Sequence, residues 1–397
     1  MTTADPASAT GPGPVPLSTI VREWGRIGCI GFGGPPAHIA LFRELCVERR
    51  HWLSSEEFED GIAVTNLLPG PASTQLAILS AWRLRGARGA VLGGLAFIVP
   101  GLVVILALAV LLLSPHAPRG VRGASAGAGA AVPVVALAAA RGLLPGSWQR
   151  AGSHRTARTR WVVELALGAA AAGLVGPWLV LVLAGCGLLE ATLRTPRRPE
   201  GRPRRHAVVP ALVVPGVATG GLLSLVWVAL KVGLLSYGGG FVIVPLMQRD
   251  AVHTYHWMTA GQFLDAVALG QITPGPVVQT VAVVGYAAAG IAGGLLAAFV
   301  AFAPSFAFIL VGGPHFDRLR TNPWAQGFLT GAGSASIGAI AGSTVPLALA
   351  LSHLWQLGVL AAAALWLLAF RRGVITALVA AALVGVAVAY AGLPLPA

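Results

Sequence analysis

The sequence predicts an all-α polytopic membrane protein made of two inverted homologous halves. The chain has 397 residues, of which 56% are hydrophobic and 10% are charged, whereas soluble proteins are about a quarter charged. Apolar runs at 90–113, 295–311 and 374–391 have about the length of a bilayer-spanning helix. A polar-flanked Pro-Gly-Pro occurs twice, in 66–71 (NLLPGP) and in 271–276 (QITPGP).

An ungapped internal duplication underlies this recurrence. The 205 residues from Asn66 to Gln271 also separate Trp52 from Trp257 and Asp60 from Asp265. Duplicated halves with one broken apolar segment each are typical of secondary transporters. The predicted organisation is a disordered tail (1–16), an N-terminal repeat (17–193), a basic cytoplasmic linker (194–219) and a C-terminal inverted repeat (220–397).

Each Pro-Gly-Pro interrupts a helix. Proline lacks a backbone donor and clashes with the preceding turn, and it also starts a following helix well. The arms on either side span roughly 17–20 Å at 1.5 Å per residue, less than the ~30 Å of hydrocarbon. We therefore expect a re-entrant hairpin with Pro69-Gly70-Pro71 at its tip, and a second with Pro274-Gly275-Pro276. Each tip presents the N-terminus of a half-helix, with unpaired N–H groups and partial positive charge.

Loop charge predicts that the two halves have opposite orientations. The region 43–88 contains six arginines, and the equivalent region 248–293 contains one, Arg249. The positive-inside rule places the first region and the linker in the cytoplasm and the second region outside.

Two cations lie within apolar segments at matching positions. Arg26 and Lys231 each precede a glycine pair by seven residues, and Lys231 is the only lysine in the chain. A charge at membrane depth is costly and usually functional, so the pair predicts attraction of an anion. The alternative for Arg26 is that its side chain reaches the nearby interface.

Several other groups complete a candidate oxyanion site. Paired glycines let backbone N–H groups approach a ligand, or else serve close helix packing. Polar residues beside the breaks donate to an oxyanion, or satisfy freed backbone groups. Asp60 and Asp265 either bind a coupling proton or pair with an arginine. The predicted substrate-binding residues are Arg26, Gly33, Gly34, Asn66, Pro69, Gly70, Pro71, Lys231, Gly238, Gly239, Gln271, Thr273, Pro274, Gly275 and Pro276.

Other classes of function receive little support. The net charge of +13 comes from arginines in short loops, which favours a membrane protein over a nucleic-acid binder. Cys29, Cys46 and Cys186 have no metal or redox spacing. We find no dinucleotide fingerprint or histidine cluster, so we expect no cofactor, no metal and no enzymatic activity.

With these glycine pairs, tryptophans and Pro-Gly-Pro segments, the sequence resembles the chromate ion transporter family in its long, two-domain form. The family signature combines a glycine pair, a valine, a tryptophan and Pro-Gly-Pro at fixed spacing. It reads Gly33-Gly34, Val47, Trp52, Pro69-Gly70-Pro71 here, and recurs as Gly238-Gly239, Val252, Trp257, Pro274-Gly275-Pro276.

The resemblance implies efflux of chromate across the cytoplasmic (inner) membrane, driven by an ion gradient and conferring resistance. The residues alone indicate only an oxyanion transporter in a lipid bilayer. Transport of sulfate or another oxyanion, including import into the cytoplasm, therefore remains an alternative. A membrane-bound chromate reductase and a non-transporting channel subunit are further alternatives. The oligomeric state stays open, with a homodimer as one arrangement.

Overall fold

The computed structural model describes residues 15–114, 116–175, 179–194, 221–236, 241–312 and 322–396. All regular secondary structure in these ranges is helical, which confirms the predicted all-α class. The predicted tail up to residue 14, the linker from residue 195 onward, and the glycine pair Gly238-Gly239 lie outside the described residues.

The first half contains seven α-helices within the described ranges. Its second and sixth helices each continue into a π-helical turn, at Glu44–Arg49 and Ala171–Val175. The helices are α1 (Leu17–Ile30), α2 (Pro35–Arg43), α3 (Ser55–Leu67), α4 (Ala72–Leu112), α5 (Arg119–Ala151), α6 (Arg155–Ala170) and α7 (Leu179–Arg194).

The second half repeats this order of helices, as the internal duplication leads us to expect. Two π-helical turns, Arg249–Thr254 and Leu365–Ala369, also recur at the matching places. The helices are α8 (Leu222–Leu235), α9 (Ile243–Gln248), α10 (Ala260–Ile272), α11 (Thr280–Gly312), α12 (Pro323–Leu349), α13 (Leu354–Ala364) and α14 (Val374–Tyr390).

Four helices in the described ranges are long and apolar enough to cross a membrane, namely α4, α5, α11 with its leading turn, and α12. This agrees with the prediction of several membrane crossings. Shorter apolar helices, among them α8 and α14, accompany them.

Matching capping boxes begin the helices that lead to the two Pro-Gly-Pro segments. The Ser54 side chain accepts a hydrogen bond from the Glu57 N–H, and the Glu57 side chain accepts one from the Ser54 N–H. Thr259 and Gln262 form the same pair at the start of α10. Reciprocal capping satisfies two otherwise unpaired donors and sets the first residue of each helix. A serine before the acidic residues Glu56 and Glu57 predicts a helix start at Ser54 or Ser55, and α3 begins there.

The helix after each Pro-Gly-Pro ends where the chain turns back on itself. The arginines at 83–88 predict an end near Trp82, and the helical dihedral angles of α4 are interrupted at Arg85-Gly86 before a second stretch runs to Leu112. The equivalent interruption in α11 lies at Ala289-Gly290. Both glycines have positive φ, 57° and 64°, which other residues rarely adopt. The stretches on either side pack against each other, since a β-carbon at Gly93 would lie 2.6 Å from Ala81 Cβ and one at Gly285 would lie 2.7 Å from Ala297 Cβ.

One long helix of each half packs against helices of the other half. α5 packs against α14 of the second half, and α12 packs against α6 and α7 of the first. Glycines allow this close approach, because a β-carbon at Gly127 would collide with the Ala381 carbonyl oxygen, and one at Gly331 with the Cys186 carbonyl oxygen. Small residues at such contacts are typical of helices that pack in lipid. This packing ties the halves into one body.

Candidate functional site

The first glycine pair separates α1 from α2 through backbone conformations that favour glycine. Gly33 and Gly34 have φ values of 98° and 72°. Pro35 then begins α2, as suits a residue without a backbone donor. A β-carbon at Gly34 would lie 3.6 Å from Val277 Cγ2, directly after the second Pro-Gly-Pro. The first-half break therefore faces the second half.

Both Pro-Gly-Pro segments are helix breaks with the predicted local geometry. Gly70 and Gly275 have φ values of 120° and 95° between their flanking prolines. α4 begins directly after Pro71, whereas one 3₁₀ turn (Val277–Gln279) follows Pro276 before α11 begins. Each break thus precedes a long helix whose first N–H groups lack partners within that helix.

The two Pro-Gly-Pro segments each pack against the opposite half of the protein. A β-carbon at Gly70 would lie 3.2 Å from the Gly233 carbonyl oxygen and 3.3 Å from Ser305 Oγ. The Gly275 N–H donates to the Gly31 carbonyl oxygen at 2.9 Å. We refer to this region, where Gly70 contacts α8 and α11 and Gly275 contacts the end of α1, as the crossing.

His38 connects three parts of the crossing. Its ring is fully buried, and Nε2 lies 2.9 Å from the Gly31 carbonyl oxygen, which also accepts from Gly275. Nδ1 lies 3.2 Å from Ser73 Oγ, in the first turn of α4. Because a carbonyl only accepts, Nε2 carries the proton, and the neutral ring accepts from Ser73 at Nδ1. The histidine positions both breaks relative to each other.

Buried polar groups without a partner accumulate beside the two breaks. Among the described residues, most buried side-chain polar atoms have a hydrogen-bond partner, as is usual in folded proteins. Six of the seven that have none belong to the breaks and to the helices around them. They are Thr74 Oγ1, Gln75 Oε1, Ser236 Oγ, Gln271 Nε2, Gln279 Oε1 and Ser305 Oγ.

Two glutamines brace the crossing with their amide N–H groups. Gln75 Nε2 donates to the Pro69 carbonyl oxygen at 2.7 Å, and Gln279 Nε2 donates to the Ile98 carbonyl oxygen at 2.8 Å. Each bond uses one of the two N–H groups of the amide, and both side-chain oxygens remain acceptors without a partner. The remaining unused groups include three hydroxyls and the Gln271 amide N–H, all of which can donate to an oxygen-rich ligand.

Arg26 lies in an ion-pair cluster. Glu23 is buried, and its carboxylate is 3.4 Å from Arg26 Nε, 3.1 Å from Arg49 and 2.9 Å from Arg50. The Arg26 side chain is 47% exposed. Gly28, two residues on, packs against Phe97, and side chains two apart on a helix do not face the same way. α1 therefore turns Arg26 away from its contact with α4.

Lys231 is also paired. Its ammonium group forms a salt bridge with Asp250 and lies 5.7 Å from the centre of the Trp227 ring. Gly233, two residues on, carries the carbonyl that faces Gly70. The structure thus places both predicted cations beside carboxylates, on helix faces that differ from those at the crossing.

The other predicted residues differ in burial and in hydrogen bonding between the two halves. Gln271 is buried, whereas its counterpart Asn66 is exposed. Thr273 Oγ1 donates to the Leu269 carbonyl of its own helix at 2.7 Å, so this hydroxyl satisfies a backbone group. Asp265 approaches α5, since a β-carbon at Gly129 would lie 3.0 Å from its Oδ1. Asp60 takes part in an interaction within the protein, so its side chain is not free.

Sequence reasoning missed Ser236, Ser305 and the role of His38. Ser305 follows Pro304, and the equivalent pair 204 residues earlier is Pro100-Gly101, which packs on the Pro274 carbonyl oxygen. Comparing the halves position by position would have marked Ser305 as a hydroxyl that replaces a glycine at a shared contact. Ser236 and His38 match Gly31 and Ile243 at 205 residues, so the same comparison would have found them.

The crossing combines two helix starts, backbone carbonyls and unused hydroxyl and amide donors in a buried setting. Such donors suit an oxyanion, which accepts hydrogen bonds on every oxygen. The described residues contain no group of three or more histidine, cysteine, aspartate or glutamate side chains that could hold a metal ion.

Comparison with known proteins gives consistent matches along the chain. A family model described as chromate transporter matches residues 18–190 and 223–386. The chromate transport protein of Cupriavidus metallidurans is 32% identical over 342 residues, 84% of this chain and 82% of that protein. That of Pseudomonas aeruginosa is 31% identical over 355 residues, 85% of this chain and 82% of that protein.

A probable chromate transport protein of Synechococcus elongatus is 29% identical over 340 residues, 83% of this chain and 84% of that protein. No solved structure gives a significant match. Because these relatives are named as transport proteins, the predicted choice of a transporter over an enzyme is confirmed. The duplicated signature, the helical membrane fold and these matches agree, and the chain belongs to the chromate transporter family.

Proposed function

We propose that this protein is a secondary active transporter that exports chromate from the cytoplasm and binds the dianion at the crossing. The names of the relatives supply the substrate. The observation that carries the location is the set of buried hydroxyls without partners, those of Thr74, Ser236 and Ser305. Leaving a buried hydroxyl unpaired costs stability unless a ligand or water uses it. A chromate oxygen is an acceptor of the required kind.

Helix starts add to the attraction. The residues after Pro71 begin α4 and those after Pro276 begin a 3₁₀ turn and then α11. The unpaired N–H groups at a helix start favour negative charge. In this proposal the inverted halves each contribute one re-entrant hairpin in the cytoplasmic membrane, and the substrate binds between the tips.

The predicted cations take an indirect part in this proposal. Glu23 and Asp250 balance the charges of Arg26 and Lys231, and both cations point away from the faces of α1 and α8 that pack at the crossing. We therefore assign direct contact with the anion to hydroxyl, amide and backbone N–H donors. Glu23 also joins α1 to Arg49 and Arg50, and the Lys231–Asp250 pair joins α8 to the second-half π-helical turn, so these ion pairs hold α1 and α8 in place.

Asp60 and Asp265 are the proposed coupling residues. Each lies on the helix that leads into a Pro-Gly-Pro, nine residues before the first proline. A carboxyl group that gains and loses a proton on such a helix changes the charge of the arm that bears the tip. This gives a proton gradient a direct route to the substrate site.

Sulfate is the second candidate substrate, because it shares the charge and tetrahedral shape of chromate. Hydroxyl and amide donors distinguish two such dianions only weakly. The test is the uptake of radiolabelled chromate, with sulfate in parallel, into everted membrane vesicles that contain the full-length protein. Everted vesicles turn export into accumulation.

Chromate accumulation that collapses with an uncoupler is the expected result. Sulfate accumulation without chromate would retain the site and replace the substrate. If neither anion accumulates in vesicles that contain the folded protein, the proposal is refuted.

A further inference from the structure

Two equivalent helix contacts differ between the halves. In the second half, α10 lies against α5 at Gly129, where a β-carbon would be 3.0 Å from Asp265 Oδ1 and 3.3 Å from Leu264 Cβ. The equivalent contact in the first half joins α3 to α12 at Gly333. Apart from the helix of Gly333 itself, no described residue has a heavy atom within 4 Å of a β-carbon placed there.

The burial of one face of α10 and of the equivalent face of α3 shows the same difference between the halves. On α10, Leu264, Ala268 and Gln271 lie at positions i, i+4 and i+7 and are all buried. The equivalent residues of α3 are Glu59, Ala63 and Asn66, and all three are exposed. Residues at this spacing share one face of a helix. The face of α3 that bears these three residues is therefore open where the equivalent face of α10 is covered.

We propose that Gly129 and Gly333 position the two arms alternately, α10 on α5 in one state and α3 on α12 in the other. The structure corresponds to the state in which the Gly129 contact is closed and the Gly333 contact is open. The inference rests on the proposed transport function, and it adds which residues form the two closures. Helix pairs with two discrete arrangements are a common basis of such transitions.

Two further observations support this assignment. Glycine weakens a helix interior relative to alanine, yet no neighbouring residue in this state requires the space at Gly333. A second state in which α3 covers Gly333, as α10 covers Gly129, supplies that requirement. The open face of α3 also leads from the arginine-rich segment 43–50 to the tip at Pro69. In the proposed orientation the described state therefore opens to the cytoplasm, where an exporter binds its substrate.

The test uses Gly333→Leu, because the described state has no neighbour within 4 Å of a β-carbon at this position, whereas α3 would cover it in the other state. Gly358→Leu is the control, since Gly358 is another helix glycine with no described neighbour within 4 Å and lies on an exposed face of α13. In everted vesicles, Gly333→Leu is expected to keep the thermal stability of the parent protein and to lose at least tenfold in transport. The control is expected to transport normally. Normal transport by Gly333→Leu would overturn the proposal.

A second measurement reports the states without any substrate. Ala63→Cys and Ala268→Cys are made separately in a Cys29→Ser background, because Cys29 is exposed, and are alkylated with a maleimide in detergent. Position 268 is buried in the described state, so it reacts only through the other state. Adding Gly333→Leu is expected to slow alkylation at position 268 at least tenfold and to leave position 63 reactive.

Equal alkylation at position 268 with and without Gly333→Leu would overturn the proposal. This result is independent of chromate, so it distinguishes a failure of the two-contact model from a failure of the proposed substrate.

Discussion

Ser305 illustrates at the residue scale how a binding group differs from a structural one. Its hydroxyl is fully buried beside Gly70 and has no partner in the described part of the chain. Other buried serines, such as Ser343, donate to a carbonyl of their own helix, in that case Ile340 at 2.7 Å. Because the Ser305 hydroxyl makes no such bond to its own helix, its O–H donor remains available to a ligand. Its counterpart Gly101 has no side chain, so the donor set is asymmetric.

The first prediction concerns Ser305→Ala. A hydrogen bond to a charged group is worth about 1.5–3 kcal/mol, so the apparent KM for chromate should rise about tenfold or more. Thermal stability should stay the same or increase, because no partner is left unpaired. Ser343→Ala is the control and should lower stability by about 1 kcal/mol without changing KM. An unchanged KM for Ser305→Ala would remove this residue from the site.

The Lys231–Asp250 pair provides a second prediction. Lys231→Ala leaves Asp250 largely buried without a partner and should cost about 2–3 kcal/mol of unfolding free energy, less than for a fully buried pair because the side chains are 19% and 15% exposed. Lys231→Met combined with Asp250→Leu should recover most of this stability and retain transport within about threefold (a factor of three is about 0.65 kcal/mol). A stable double variant without transport would instead make Lys231 a direct ligand of the anion.

Broken helices decide the geometry at the scale of elements. Pro-Gly-Pro ends α3 and α10 by removing donors and imposing extended residues, and its glycine takes a positive φ in both copies. Gly86 and Gly290 also take a positive φ, and there the chain reverses within α4 and α11.

The third prediction tests the requirement for glycine between the prolines. Gly70→Ala and Gly275→Ala place a β-carbon at φ values of 120° and 95°, and at Gly70 the new atom would lie 2.6 Å from Gln75 Nε2. Backbone strain of this kind costs about 1–3 kcal/mol, and displacement of Gln75 releases the Pro69 carbonyl. Both variants should lose at least tenfold in transport.

Gly142→Ala is the control for these variants, because this helical glycine has open space around it and alanine favours a helix. It should transport normally and should not be less stable than the parent protein. Normal transport by Gly70→Ala and Gly275→Ala would show that the tips tolerate a side chain and do not contact the substrate closely.

Whole-molecule organisation rests on the exchange of α5 and α12 between the halves. Each long helix packs on the terminal helices of the other half, so neither half carries its complete set of contacts alone.

The fourth prediction tests the expected opposite orientations of the two halves with Glu48→Cys and His253→Cys, in a Cys29→Ser background. The two positions are equivalent, lie in the matching π-helical turns and are both exposed. A membrane-impermeant maleimide applied to intact cells should label position 253 and not position 48. The pattern should reverse in everted vesicles. Labelling of both positions from the same side would show that the repeats are parallel.

The sequence by itself determined the helical membrane class, the duplication, the breaks and the family. Proline, glycine and long apolar runs act through the local backbone and through solubility in lipid, so neighbouring residues suffice to predict their effects. Capping at Ser54 and the breaks at Pro69 and Pro274 follow in this way. The helix end near Trp82 follows too, because the arginines at 83–88 mark the return of the chain, and the structure interrupts the helix at Arg85-Gly86.

Only the tertiary structure decided which polar groups remain unused. Arg26 and Lys231 stand out in the sequence as costly charges. Glu23 lies three residues before Arg26 on the same helix, whereas Asp250 lies 19 residues from Lys231 and reaches it only through packing. Ser305 and His38 look ordinary in the sequence, because burial and the absence or presence of a partner are properties of long-range contacts. The difference between the Gly129 and Gly333 contacts is likewise invisible in the sequence, because both positions are glycine and only packing shows which one is covered.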